Sequence, residues 1–109
     1  MLIDFPNMPE KTLKNFYGGE KEVQARMYAD DKNRILCGRL TPGASIGMHA
    51  HETSSEIVYV VSGHGRVIYD GKPFPIGPGQ CHYCPKGHSH STINDGDEDL
   101  ICITVVPEQ

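Results

Sequence analysis

At 109 residues the chain has room for one domain with a buried core. Fourteen acidic and ten basic residues leave a net charge of −4 with histidine neutral, and no basic stripe marks a nucleic-acid partner. The runs IVYVV and LICITVV are far too short to span a membrane, and MLIDFPNMPEKTLK lacks the pattern of a secretory leader, so no membrane partner and a cytoplasmic location are expected.

Residues 1–22 read as an irregular N-terminal arm, broken by Pro6, Pro9 and Gly18-Gly19, in which Glu10–Phe16 suits a turn or two of helix. Residues 23–109 read as a single β domain. VQARMYA (23–29) and RILCGRL (34–40) are short strands joined through Asp30-Asp31-Lys32-Asn33. IVYVV (57–61), RVIY (66–69) and LICITVV (100–106) are dense in β-branched and aromatic residues. Asp70-Gly71 marks a two-residue hairpin between RVIY and KPFPI. The glycines of SGHGRV belong to a hairpin turn rather than a phosphate loop, because no helix follows them. Twelve glycines and eight prolines spaced among short strands, with no long helix, indicate an all-β sandwich or barrel.

IVYVV does not alternate with polar residues and LICITVV barely does, so both faces of these strands are expected to be covered. A second sheet of the same chain can do this, or a second copy in a homodimer. The four cysteines, 37, 81, 84 and 102, are expected to be reduced.

All six histidines fall between positions 49 and 90. On a strand, residues i and i+2 share a face, so His49 and His51 project together. Glu52-Thr53-Ser54-Ser55 suits a turn that brings Glu56 back beside them. A lone histidine is ordinarily a surface or core residue, but two imidazoles and a carboxylate side by side suit a metal. A further ligand is available from CHYCPKGHSHS (81–91), where His88 and His90 share the same spacing. Cys81, Cys84, His88 and His90 form a rival zinc set. Its loops are short, and strand alternation turns Cys81 and Cys84 to opposite faces.

Two longer patterns resemble a known family. Gly43, His49-Ala50-His51, Glu56 and Gly63 are similar to the first conserved motif of the cupins, and Gly79, Pro85-Lys86-Gly87, His90 and Asn94 to the second. The intervening segment, 64–78, is short, as in small single-domain cupins. The resemblance implies a double-stranded β-helix, the jelly-roll barrel. It also implies a metal held by His49, His51, Glu56 and His90. Gln80 stands where cupins commonly have aspartate, which puts a turn contact in doubt.

Such a donor set accepts a divalent transition metal: Fe, Mn, Ni, Co, Cu or Zn. Four protein ligands leave positions open, as in catalytic rather than closed structural sites. The expected function is a small metalloenzyme of dioxygenase, isomerase or lyase type, acting on a small oxygen-bearing organic molecule in the barrel. The alternative is a non-catalytic binding or sensing module for a sugar or organic acid. A purely structural dimer is disfavoured, because buried histidines and a carboxylate are costly without a partner. His82, His88, Tyr59, Tyr69, Tyr83, Arg26 and Arg39 are candidates for supporting or substrate contacts. None stands out as a general base.

Overall fold

The β-branched runs become strands, and the glycine- and proline-rich stretches become the turns between them. A computed structural model describes residues 1–109. In chain order the strands are β1 (Lys11–Lys14), β2 (Glu22–Ala29), β3 (Asn33–Leu40), β4 (Ser45–Ala50) and β5 (Glu56–Ser62). Then follow β6 (Gly65–Tyr69), β7 (Lys72–Ile76), β8 (Cys81–Cys84), β9 (Ser89–Ile93) and β10 (Leu100–Pro107). They form two antiparallel sheets, one of six strands in the order β1-β2-β3-β10-β5-β8 and one of four in the order β4-β9-β6-β7. This is the expected jelly roll.

Inward-facing apolar side chains meet between the sheets. Val23, Leu40, Val58, Val60 and Leu100 from the larger sheet pack with Val67 and Ile76 from the smaller. Alternation is regular on the central strands: β10 runs buried and half-buried in turn along its length, so its odd positions face away from the core. The Asp70-Gly71 hairpin forms as the spacing predicts, with positive φ at both residues (48° and 81°), the requirement of a tight primed turn.

Residues 10–16 depart from expectation. Lys11–Lys14 is an edge strand, not a helical turn, and pairs antiparallel with β2 from Lys11 opposite Ala25 to Lys14 opposite Glu22. An isolated helix of that length is unfavourable to nucleate, whereas the β2 edge supplies hydrogen-bond partners already in place. Thr12 adds a side-chain bond to Gln24 at 2.8 Å. A short 3₁₀ turn, Phe16–Gly18, follows.

That turn lies hard against β4. A Cβ on Gly47 would sit 2.0 Å from the Tyr17 carbonyl oxygen, and one on Gly19 2.0 Å from that of Ser45. Only glycine permits this backbone approach. It holds residues 16–19 beside the strand that carries His49.

Asn94 joins the loop after β9 to the end of β3. Fully buried, it donates to the carbonyls of Leu40 and Glu98, both at 2.8 Å, and accepts from the Gly96 amide at 3.0 Å. Asn94→Ala strands the buried Leu40 carbonyl. It should destabilise the protein by about 2 kcal/mol, seen as a fall of roughly 10 °C in the thermal midpoint.

Candidate metal centre

Three elements deliver the four expected ligands. His49, on β4, lies directly opposite His90 on β9. His51 follows the end of β4, where its amide donates to the His88 carbonyl at 3.2 Å and its carbonyl accepts from Gly87. Glu56 opens β5 on the other sheet. The β4–β9 register shifts between Ile46 and His49, and such an irregularity re-aims the side chains beyond it.

The side chains converge on one point. His51 Nε2 lies 3.0 Å from Glu56 Oε1, His90 Nε2 3.4 Å and His49 Nε2 3.5 Å. His90 Nε2 is 3.1 Å from that of His51 and 3.0 Å from that of His49. All four side chains are at most 8 % exposed. Nitrogen ligands about 2.1 Å from one ion and at right angles to each other stand about 3.0 Å apart. The spacing therefore fits a single ion, and this His₃Glu cluster could hold one.

The far side of each ring agrees. His49 Nδ1 lies 2.8 Å from the Gly47 carbonyl. A carbonyl only accepts, so Nδ1 carries the proton and a neutral His49 keeps Nε2 bare for a metal. His51 Nδ1 has Ser54 Oγ at 3.2 Å, and His90 Nδ1 has His82 Nε2 at 2.9 Å. Burial acts to raise the pKa of Glu56. Without a metal, protons shared among the imidazole nitrogens of His49, His51 and His90 that face it act to lower it and outweigh burial, so the carboxyl is ionised; a bound cation would take the place of those protons. Burial, with the neighbouring His90, lowers His82 to about 4 and keeps it neutral.

The remaining candidates scatter. His88, at the rim, contacts Asp70 Oδ2 at 2.5 Å and the Tyr69 hydroxyl at 3.2 Å through Nδ1. Arg26 donates to the Phe5 carbonyl, and Arg39 pairs with Glu10 and Asp99. Tyr59 and Tyr83 are exposed on the outer face of the larger sheet. Cys81 is exposed and Cys84 buried, so the rival zinc set does not converge. Gln80 keeps the turn contact that was in doubt: its side-chain carbonyl accepts from the Gly77 amide at 2.8 Å.

One group at the site carried no signal of its own. Tyr17 stacks on His49, ring centroids 4.1 Å apart at 16°. It does so from a left-handed backbone (φ 52°), which nothing but the adjacent Gly18-Gly19 hints at. Tyr17 and His51 also line an open polar cleft of about 380 Å³ that includes Lys32 and Arg34. Inside the barrel, a void of about 20 Å³ touches Glu56 but is lined mostly by core side chains such as Leu13, Phe16, Val23 and Val58 and by none of the three histidines.

The family model for the cupin domain matches residues 38–106. The chain is a cupin. An oxalate-binding protein of Thermotoga maritima is 31% identical over 112 residues, covering 97% of this chain and 93% of that protein. A crystal structure from Thermotoga maritima, described as a predicted oxalate decarboxylase, superposes with a TM-score of 0.94 at 30% identity, covering both chains fully. A cupin 2 conserved barrel domain protein from Salinispora arenicola superposes at 0.75 with 22% identity, covering 99% of this chain and 87% of that one, a likeness of fold alone.

Proposed function

We propose that this cupin holds one divalent transition-metal ion on His49, His51, Glu56 and His90 and presents it to a small carboxylate of the oxalate class. The observation that carries the reading is the convergence of three imidazole Nε2 atoms on Glu56 Oε1, with each opposite Nδ1 atom in reach of a polar partner.

Charge supports an acidic ligand. Three neutral imidazoles and one carboxylate leave a divalent ion near +1, which attracts an anion despite the chain's net negative charge. When bound, the ion supplies Lewis acidity and open positions for oxygen donors. The protein holds the four donors, keeps Glu56 ionised and excludes bulk water. The open space beside the ligands is the outer polar cleft, which Tyr17 and His51 line together with Lys32 and Arg34, two cations that suit an acidic ligand. The oxalate-binding relative points the same way.

The reading is tested by titrating oxalate into protein loaded with Mn(II) and into the metal-free form. Saturable binding that requires the metal and disappears in His49→Ala is expected; loaded protein that ignores oxalate overturns it. Release of carbon dioxide would make the protein a lyase, the reading favoured by its likeness to the structure described as a decarboxylase. Oxalate recovered intact would make it a binding module. We further propose a homodimer joined through the outer face of the larger sheet, and a cytoplasmic setting, which suits four free thiols.

A further inference from the structure

His82 is the one buried histidine outside the ligand set. It sits on β8, opposite Val58 of β5, and so points between the sheets from the larger one. His90 points inward from the smaller. Their rings meet with Nε2 of His82 2.9 Å from Nδ1 of His90.

We infer that His82 is the positioning residue of the centre: it accepts the His90 Nδ1 proton and thereby aims His90 Nε2 at His49, His51 and Glu56. The inference rests on the proposed metal site. A ligating histidine must leave its coordinating nitrogen bare, so its other nitrogen carries a proton that needs an acceptor. For His49 the acceptor is the Gly47 carbonyl and for His51 it is the Ser54 hydroxyl. For His90, only 1 % exposed, it is His82.

The acceptor ring is itself held in place. Tyr69 and Phe74 pack against it edge-on, with centroid distances of 5.5 and 5.6 Å and interplanar angles of 70° and 63°. Rotation of His82 out of the bond would require both to move. The bond also ties the sheets together behind the ligands.

The type of acceptor matters. A carboxylate in this place would pull the His90 proton strongly and enrich the ring as a donor. A neutral imidazole pulls it less, so His90 stays a neutral ligand and the ion keeps more of its acidity. His82, Cys84 and His90 also stand close enough to form a second metal cluster. With the first site filled, that cluster would need both protons removed from His90. His82 is therefore a hydrogen-bond acceptor here, not a ligand.

Two variants and two readouts test this. His82→Gln keeps an acceptor oxygen; His82→Leu keeps bulk without one. In the metal-free protein at pH 8, two-bond ¹H–¹⁵N correlation of the histidine rings reports which nitrogen carries each proton. His90 should be protonated at Nδ1 in the wild type and in His82→Gln, and should lose that preference in His82→Leu. Zn(II) dissociation constants, measured by chelator competition, should weaken by about 10- to 100-fold in His82→Leu and recover most of the way in His82→Gln. A wild-type His90 with bare Nδ1, unchanged affinity in His82→Leu, or two ions per chain would each overturn the inference. A wild type that binds no Zn(II) would defeat the metal reading instead, while the ring protonation of metal-free His90 would still decide the role of His82.

Discussion

Replacing His49 with alanine is expected to leave a folded barrel without stoichiometric metal. Zinc held by four protein ligands is bound by roughly 10–16 kcal/mol, so each ligand contributes about 3–4 kcal/mol, and losing one weakens binding by roughly 100- to 1000-fold. Dialysed wild type should carry close to one equivalent by elemental analysis, and His49→Ala almost none. The fold should survive. Metal-free, the His49 ring makes one hydrogen bond to Gly47, stacks on the half-exposed Tyr17 and faces a carboxylate that His51 and His90 still contact. Nothing in the apolar core touches that loss. The two metal-free proteins should therefore melt within a few degrees of each other. With the ion at a thousand times the wild-type dissociation constant, the wild type should gain about 4 kcal/mol and His49→Ala only about 0.4–1.4 kcal/mol. Equal metal content and an equal shift in both proteins would rule out His49 as a ligand.

The ligand set is readable in sequence because strand geometry is local. His49 and His51 are two apart, Glu56 follows one turn later, and each position needs only pleating and a short loop to be placed. The choice of His90 over His88 is of another kind. Both lie in one short strand region, and spacing alone leaves them equal. The cupin motif separates them, and the structure supplies the reason: His90 stands opposite His49 in the ladder, while His88 comes before the strand at the rim beside Asp70. Strand β1 was not legible, since KTLK has a single half-buried apolar residue, Leu13, and depends on an edge ten residues further on. Nor was Tyr17 over His49, which depends on two glycines distant in sequence touching backbone to backbone. The role of His82 was half legible. Alternation puts His82 and Cys84 on one face, but CHYC does not say which face is inward until β5 lies beside it.

The same alternation makes Tyr59→Lys the most informative substitution away from the metal. IVYVV reads as apolar throughout, yet the structure gives its residues two environments. Val58 and Val60 are in the core, whereas Tyr59 and Val61 are 46% and 49% exposed and Ile57 is exposed as well. The smaller sheet covers only the inner face. On the outer face the ladder sets Ile35, Val105, Ile57 and Tyr83 in one row and Cys37, Ile103, Tyr59 and Cys81 in the next. On β2 the first row continues to Tyr28 and the second to Arg26, opposite Cys37, and no other charged residue enters either row. In a chain of net charge −4, this is where two copies can meet without repulsion, and a face of this kind is self-complementary about a two-fold axis. A stable pairing needs about 800 Å² from each partner, the scale of a sheet face. The wild type should therefore run in light scattering at twice its 12.0 kDa chain mass. Tyr59 occurs twice in a symmetric interface. Losing a central tyrosine at about 2 kcal/mol each time weakens dimerisation by roughly a thousandfold, and lysine adds two like charges. Tyr59→Lys should be monomeric at micromolar concentration. Its metal content should stay that of the wild type, because Tyr59 faces away from the side of β5 that presents Glu56. A wild type that is monomeric at tens of micromolar would remove the dimer, and a variant that also loses metal would show that the two faces of β5 are not independent.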